Sequence, residues 1–233
     1  MKILAIDTTG QQAGAAIVDK YITIGEIMIN AQSGPKSWHH SEILMPAIER
    51  MFYLSGQEIS DMDYVAYTAG PGSFTGIRIG AATALGLARS INKPAIAVPT
   101  LDALAYNVLG AHEGIVVPLM DARRGQVYTA IYRTQDGELT KISDYFAAPI
   151  AEAIERVGEH SPNALLLGDG ADAYKQEILN IYPGAKFSPP NSNRQRPASV
   201  GLCAMHQLAA GNAITPPELI YIRDPQAVRA KQA

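Results

Sequence analysis

Residues 70–80 (GPGSFTGIRIG) join an apolar stretch to residues that recur at helical spacing. The glycines leave backbone N–H groups unshielded beside the first turn of a helix, where the helix dipole adds partial positive charge. A phosphate or a carboxylate would bind at such a position. The same residues also fit a tight connection between a strand and a helix, with Ser73 or Thr75 as the N-cap. The glycine pattern alone leaves both interpretations open.

Two other polar, glycine-containing turns follow apolar stretches, at residues 7–10 (DTTG) and 168–170 (GDG). Ligands of open α/β sheets bind beyond the carboxyl ends of strands, so the three turns together predict a nucleotide cleft between two lobes. Asp7 fits two roles: an Asx-turn residue that caps its own loop, or a carboxylate that binds the water shell of Mg²⁺. The residues predicted to form the cleft are Asp7, Thr8, Gly70, Gly72, Ser73, Gly168 and Gly170.

Residue types that carry nucleophilic or metal chemistry are sparse. The single cysteine, Cys203, excludes an internal disulfide and lies among apolar residues, which favours a core position. No two of the five histidines form an HxxxH or HExxH pair, and the adjacent His39 and His40 point in different directions on a helix or strand. We therefore predict no nucleophilic role for Cys203 and no metal site.

Arg123 and Arg124 form a dibasic turn after an apolar stretch that ends at Asp121. At the mouth of a cleft such a turn could take a phosphate. A solvated hairpin, or a salt bridge with a nearby carboxylate, is the simpler interpretation.

The composition of the chain limits the classes of protein to which it can belong. The chain has 233 residues, 47% of them hydrophobic and 18% charged, as is ordinary for a globular protein with a substantial core. A net charge of -3 argues against a protein that grips nucleic acid by itself. No stretch resembles a signal peptide or reaches the roughly 20 apolar residues of a membrane span, so we expect a cytoplasmic protein.

The hydrophobic pattern of the sequence predicts the strands and helices that position these turns. Apolar and β-branched runs predict strands over residues 3–7, 13–18, 22–29, 63–69, 95–98, 115–120, 126–132 and 164–167, with a further strand within 139–146. Helical spacing predicts helices over residues 41–54, with Ser41 as a candidate N-cap and closed by Gly56, and then from Gly76, over 100–109, 150–157, 171–181 and 199–208. The Pro- and Asn-rich residues 188–197 are expected to be an exposed, mobile loop.

The order of elements occurs twice. A shift of 114 residues aligns Asp7 with Asp121 and Ala16 with Ala130, so a strand, an aspartate turn and a second strand recur. The simplest interpretation is an α/β protein of two similar lobes. We place the boundary near residues 110–114, which assigns 1–110 to the N-terminal lobe and 111–233 to a C-terminal lobe with an extended tail.

Several segments together resemble the TsaB (YeaZ) family. They are ILAIDTT at residues 3–9, HSEILMPAI at 40–48, GPGSFTGIRIG at 70–80, MDARRGQVYTAIY at 120–132 and GDGA at 168–171. The resemblance covers nearly the whole chain. It implies a two-lobed actin-like ATPase (ASKHA) fold, built from duplicated ribonuclease-H-like βββαβα lobes.

The resemblance also implies a function. The family takes part in making threonylcarbamoyladenosine (t6A) in tRNAs that read ANN codons. It acts as a non-catalytic scaffold that binds its paralogue, the transferase TsaD, while the ATPase TsaE docks on the pair. It further implies a homodimer when the chain is alone, indirect contact with tRNA through the complex, no association with membranes, no required cofactor and at most weak binding of adenine nucleotides.

One segment bears on the non-catalytic role. TsaD-like proteins carry a metal-binding HxxxH whose i, i+4 spacing puts both imidazoles on one helical face. Thr100 and Leu104 occupy the two matching positions here, and neither replaces a histidine as a ligand.

By resemblance, two helices of the first lobe form the partner interface. The residues expected there are Ile43, Met45, Ile48, Met51, Phe52, Ile77, Ala81, Ala84 and Leu85. Most of them also fit the buried face of helices that pack on their own sheet. Three other functions stay open as alternatives: a nucleotide-sensing regulatory module, a glycoprotease-like metallopeptidase and a small-molecule kinase.

Overall fold

The computed structural model of the chain describes residues 1–20, 22–31, 38–213 and 218–223. The chain divides into two units. Unit 1 comprises residues 1–103 and 195–220, and unit 2 comprises residues 104–194 and 221–233. Most of the extended tail that the sequence predicts lies outside the described residues.

The sheet of unit 1 has five strands: β1 (Lys2–Asp7), β2 (Gln12–Asp19), β3 (Ile22–Asn30), β4 (Tyr64–Thr68) and β5 (Ala95–Val98). Their order is β3-β2-β1-β4-β5, with β1, β2 and β3 antiparallel and with β4 and β5 parallel to β1. The central strand β1 reads as a continuous apolar run because helices cover both of its faces.

Among the described residues, unit 1 contains the helices α1 (His40–Ser55), α2 (Phe74–Ser90) and α7 (Pro197–Ala209), and α3 (Thr100–Ala105) begins in unit 1 and ends in unit 2. The N-cap of α1 is His39 rather than the predicted Ser41, since Glu42 Oε2 accepts a hydrogen bond from His39 N at 2.7 Å. Gly56 ends this helix at φ 64°, as predicted. The helix predicted over 100–109 stops earlier, and a short 3₁₀ turn follows α3.

The core of unit 1 lies on both faces of the sheet. Leu4 and Ile6 of β1 pack with side chains of α1 and α2, including Leu44, Met51 and Ala84. Ala5 alternates with them and so faces the opposite side, where it lies against Gly201 of α7.

Helix α7 therefore belongs to unit 1, although the sequence-based boundary placed residues 111–233 in the second lobe. Glu26 of β3 fixes its start by accepting hydrogen bonds from Ala198 N at 3.0 Å and from the Arg196 guanidinium. The physical reason for the correction is that a sheet with two apolar faces needs cover on both. In unit 1 a helix distant in sequence supplies part of that cover.

Unit 2 is built in the same way. Its strands are β6 (Gly114–Asp121), β7 (Gln126–Thr129), β8 (Tyr132–Gln135), β9 (Glu138–Lys141), β10 (Phe146–Pro149), β11 (Leu165–Leu167) and β12 (Lys186–Phe187). Its helices are α4 (Ile150–His160), α5 (Asp169–Ala173) and α6 (Lys175–Ile181). The strand predicted over 126–132 is two strands, because β7 pairs with β10 whereas β8 pairs with β9. Likewise, α5 and α6 replace the single helix predicted over 171–181.

The strand order β10-β7-β6-β11-β12 reproduces that of unit 1. In both units two strands lie on one side of the central strand, and each of them is antiparallel to its neighbour. Two strands parallel to the central strand lie on the other side. Asp7 and Asp121 end the corresponding strands β1 and β6, which confirms the repeat at 114 residues. The α/β fold class and the duplicated ribonuclease-H-like arrangement are thus confirmed.

Candidate functional site

In unit 1 the glycine-rich turn before α2 packs directly on the turn after β1. Thr8 Oγ1 donates a hydrogen bond to Gly76 O at 2.7 Å, and Ser73 N donates to Thr9 O at 2.8 Å. A side chain at Gly76 would collide with the carbonyl oxygen of Thr8. The close approach of two backbone segments therefore accounts for this glycine without any phosphate.

Ser73 is the N-cap of α2. Its Oγ accepts a hydrogen bond from Gly76 N at 3.2 Å, which decides between the two predicted caps, Ser73 and Thr75. Gly72 has a φ of 156° and lies against the backbone of Thr9. Part of the N-terminal backbone of α2 is thus hydrogen-bonded within the chain.

Residues 218–220 cover the start of the same turn. Ile220 N donates to Ala69 O at 2.7 Å, and Leu219 and Ile220 pack on the core of unit 1. Gly70, at φ 112°, has no room for a side chain because the Ile220 carbonyl oxygen lies beside it. On the other side of the turn, Gly70 O accepts a hydrogen bond from Thr100 N at 2.8 Å.

Asp7 has the geometry of an Asx turn. Its Oδ1 accepts hydrogen bonds from the backbone N and the Oγ1 of Thr9, both at 2.8 Å. The side chain is buried, and desolvation raises the pKa of the Asp7 carboxyl to about 6, although hydrogen bonds from Thr9 and Thr68 oppose the shift. Of the two predicted roles, loop capping is the one for which the structure provides partners.

The corresponding turn of unit 2 is also filled by its own chain. Gly168, at φ 106°, lies against the carbonyl oxygen of Leu119, and its N–H donates to Asn193 Oδ1 at 2.7 Å. Gly170 approaches the same carbonyl. Asp169 Oδ1 accepts a hydrogen bond from Asp121 N at 3.0 Å, and burial raises the pKa of the Asp169 carboxyl.

The structure thus groups the predicted cleft residues within units. Asp7, Thr8, Gly70, Gly72 and Ser73 lie around one pair of turns in unit 1, and Gly168 and Gly170 lie together in unit 2.

Two further residues line these turns and were not predicted from the sequence, Asn193 and Gln195. Both are buried, whereas residues 188–197 were expected to be an exposed loop. The predicted exposure holds for residues 189–191 but is wrong for Asn193 and Gln195, and Asn107 Nδ2 also holds the segment through the carbonyl oxygens of Ser192 and Arg194. In the sequence, the only available signal was the pair of amide side chains among the prolines.

The turn between β6 and β7 carries the dibasic pair. Asp121 Oδ1 accepts from Arg123 N at 2.8 Å, and Asp121 Oδ2 lies 3.1 Å from Arg123 Nη1. Tyr174 OH donates to the same carboxylate at 3.0 Å. Arg123 thus forms the salt bridge that was one of its predicted roles.

The predicted interface residues fall on two sides of α1 and α2. The buried ones, which pack within unit 1 rather than form a surface, are Ile43, Ile48, Met51, Ile77, Ala81 and Ala84. Their assignment to a partner surface is corrected, because each helix must bury one apolar face on its own sheet. Met45 and Leu85 are exposed, and Phe52 is half-buried.

The two helices nevertheless carry large apolar side chains that remain exposed. Tyr53 and Leu54 on α1 are 76% and 64% exposed, and Phe74 lies at the start of α2. Arg50 stacks over the Tyr53 ring at 5.1 Å. We call the exposed residues Met45, Tyr53, Phe74 and Leu85 the outer helix face, from which Leu54 is left out because it lies nine residues from Met45 and so on the opposite side of α1.

Residues of possible metal or nucleophilic chemistry are placed as follows. Thr100 and Leu104 are both completely buried on α3. Cys203 is buried in α7, and desolvation raises the pKa of its thiol well above the usual value. Across the described ranges, no three His, Cys, Asp or Glu side chains are grouped as metal ligands would be. The helices within those ranges are all too short or too polar to cross a membrane.

Comparison with known sequences gives consistent results. The model of the TsaD family, described as tRNA N6-adenosine threonylcarbamoyltransferase, matches residues 35–231. The tRNA threonylcarbamoyladenosine biosynthesis protein TsaB of Bacillus subtilis is 30% identical, with 97% of each chain covered. The protein of the same name from Escherichia coli is 31% identical, over 96% of this chain and 95% of the relative.

Comparison with solved structures supports the fold. YeaZ from Pseudomonas aeruginosa superposes with a TM-score of 0.75 at 23% identity, over 94% of this chain and 99% of that one. An uncharacterized protein described as similar to the peptidase YEAZ from that organism gives a TM-score of 0.77, also at 23% identity, over 95% and 99%. At this identity the likeness concerns the fold alone.

Proposed function

The chain belongs to the TsaB (YeaZ) family of tRNA threonylcarbamoyladenosine biosynthesis proteins, and we propose that it serves as a non-catalytic subunit that activates the transferase TsaD. The relatives' name supports a place in t6A biosynthesis. Since these relatives are bacterial and the modified molecule is tRNA, we assign the protein to the cytoplasm. The observation that carries the scaffold role is the outer helix face, four large exposed apolar side chains on two neighbouring helices.

The residues of α3 support the absence of catalysis by this chain. Thr100 and Leu104 stand where a TsaD-like protein has metal-binding histidines, and both are buried. A leucine side chain offers no lone pair to a metal, and Zn²⁺ and iron sites rarely use a threonine hydroxyl. We therefore infer that TsaD supplies the catalytic metal and the transfer chemistry.

The outer helix face fits a protein partner. Apolar side chains that remain exposed on adjacent helices typically mark an interaction surface, and a methionine adapts its shape to the partner. We propose that TsaD packs its equivalent helices here, that a second copy of this chain uses the same face when TsaD is absent, and that TsaE docks on the TsaB–TsaD pair.

A reconstitution tests the functional role. The purified chain alone should form no t6A, and the full set of TsaD, TsaE, ATP, unmodified tRNA and threonylcarbamoyl-AMP should require the chain for activity. Quantification of t6A nucleosides by mass spectrometry after tRNA digestion gives the readout. Modification by the isolated chain, or full activity of the set without it, would contradict the proposal.

The interface is tested with a charge placed on the outer helix face. Leu85→Asp, at a side chain 43% exposed, should abolish co-purification with TsaD without loss of folding. Ile181→Asp on α6 is the matched control, because Ile181 is 38% exposed but belongs to unit 2. If both variants retain TsaD, or both lose it, the outer helix face is not the interface.

We further infer that the chain requires no nucleotide of its own. The glycines of both turns are explained by contacts with Thr8, Thr9, Ile220 and Leu119, so no phosphate is needed to account for them. Calorimetric titration with ATP should therefore show weak binding at most. Tight binding by the isolated chain would favour the nucleotide-sensing alternative.

A further inference from the structure

The turn between β6 and β7 has an unusual backbone. Arg123, Arg124 and Gly125 follow one another with φ values of 66°, 56° and 73°. A non-glycine residue in this left-handed region costs roughly 1–2 kcal/mol, and glycine or asparagine would adopt it more readily. Two arginines therefore occupy positions where a smaller residue would be more stable.

The side chains of this turn leave positive charge uncompensated. Arg123 is paired with Asp121, yet its side chain is 75% exposed. Arg124 is exposed and makes no hydrogen bond or ion pair with any residue in the described ranges. Its guanidinium therefore presents all of its donors to solvent.

A third arginine lies directly beside the turn. Arg223 Nη1 donates to Ala122 O at 3.2 Å, and its guanidinium lies 5.4 Å from the centre of the Tyr128 ring. Its Nη2 is buried and has no partner among the described residues. No carboxylate of the described chain therefore neutralises Arg223.

The negative charges near the turn do not balance these arginines. Asp121 contacts only Arg123 among them and also accepts from Tyr174 OH. Asp169 accepts from the backbone N–H of Asp121 and belongs to the turn after β11. Arg123, Arg124 and Arg223, which we call the arginine turn, thus carry a local positive excess in a chain whose net charge is -3.

Resting on the proposed role in tRNA modification, and in place of the indirect contact that the resemblance implies, we propose that the arginine turn binds backbone phosphates of the tRNA. Guanidinium groups present paired N–H donors that match phosphate oxygens, and their charge is kept at any physiological pH. Arg124 contacts the phosphate directly. Arg123, which is paired with Asp121, and Arg223, which lies beside the turn, add positive potential. Contacts to phosphates position the RNA without reading its sequence.

The test is a tRNA titration of the full-length chain by fluorescence anisotropy, in a salt series that begins at low ionic strength. The probe is an unmodified tRNA that reads an ANN codon. Arg124→Gly removes the charge and fits the positive φ, so it should weaken binding about fivefold and reduce the slope of log K against log salt by about 1. Arg124→Lys should retain most of the affinity, since lysine is also a phosphate ligand.

The matched control is Arg133→Ala. Arg133 is an exposed arginine of β8 in the same unit, and it has no ion pair within the described residues. It should leave the affinity and the salt slope nearly unchanged. Equal weakening by Arg133→Ala and Arg124→Gly would show a non-specific charge effect and overturn the proposal.

Three further outcomes overturn it. One is unaltered affinity and slope for Arg124→Gly, and another is no tRNA binding by the wild-type chain at low salt. The third is an effect of Arg124→Gly on the binding of ATP alone but not of tRNA, which would identify a free nucleotide as the source of the phosphate. These measurements are separate from the t6A reconstitution, so a failure of this proposal is distinguishable from a failure of the proposed function.

Discussion

At the scale of single residues, burial changes the pKa of the Asp7 carboxyl group. Desolvation raises its pKa from 3.8 to about 6, so the folded protein holds this proton to a higher pH than the unfolded chain does. The contribution of Asp7 to stability is therefore greatest at low pH and declines as the pH rises from about 4 to about 6. The full decline corresponds to about 3 kcal/mol.

Asp7→Asn should remove this dependence. The asparagine keeps an oxygen to accept from Thr9 and never ionises, so the variant should be more stable than the wild type at pH 7.5, and its advantage at pH 4.5 should be about a third as large. Urea unfolding at both pH values measures the difference. Asp136→Asn in the exposed turn after β8 controls for the loss of one negative charge. An advantage that is the same at both pH values would refute the assignment.

Two buried tyrosines form a matched pair. Tyr67 OH has no hydrogen-bond partner among the described residues, and burial raises its pKa to about 12, whereas Tyr182 OH accepts from Ala164 N and donates to Ser161 O, both at 2.7 Å. Tyr67→Phe should stabilise the protein by about 1 kcal/mol, and Tyr182→Phe should destabilise it by about 2 kcal/mol. Amide exchange in β4 and β11 reports each unit. Opposite signs are expected, and two losses of similar size would count against this account.

At the scale of elements, the first turn of α2 is positioned by the turn after β1. The Thr8 hydroxyl and the Thr9 carbonyl form hydrogen bonds with the backbone at the start of α2. The glycines permit this close approach. The motif that attracted a phosphate interpretation is thus, in unit 1, a joint between a strand and a helix.

Alanine substitutions at two glycines of α2 distinguish the tight contact at this joint from the general preference of helices for alanine over glycine. Gly76→Ala would press a methyl group into the Thr8 carbonyl and should cost about 3 kcal/mol, since the backbone there has little room to move. Gly86→Ala meets no atom within 4 Å and should add about 1 kcal/mol of stability. Thermal unfolding of the two variants measures both effects. Tolerance of alanine at position 76 would show that the contact is not tight.

Element positions were predictable where a pattern is local. The apolar run of β1, the helical spacing of α1 and the closing Gly56 depend on neighbouring residues and were confirmed. The side of a helix that faces solvent was harder to predict. Ile48 and Met45 are both apolar, and only the packing of the folded chain makes Ile48 buried and Met45 exposed. The burial of Asn193 depends on a hydrogen bond to Gly168, 25 residues away, which no local pattern encodes.

At the scale of the whole molecule, the two units differ in how their chain is assembled. Unit 2 draws its sheet and its helices from residues 104–194, whereas unit 1 needs residues 195–220 as well as 1–103. The lobe boundary predicted from sequence missed this because a repeat identifies similar elements but not the distant helix that completes one of them.

A truncation tests this division. A chain of residues 1–110 should fail to fold cooperatively, because it lacks α7 and exposes the side of the sheet that carries Ala5 and Val18. Residues 1–103 joined by a short linker to 195–223 should recover a folded unit. Circular dichroism during urea titration distinguishes the two. A cooperative transition in the 1–110 chain would contradict the essential role of α7.

The packing of α7 on β1 and β2 also sets an order of events during synthesis. The ribosome makes those strands before residues 104–194, yet the helix that covers them spans residues 197–209 and is made after that segment. In the interval, residues 104–194 have already left the ribosome and can complete their own sheet. The unit that is translated first is therefore finished last, and its half-covered sheet is the surface that a nascent-chain chaperone would meet.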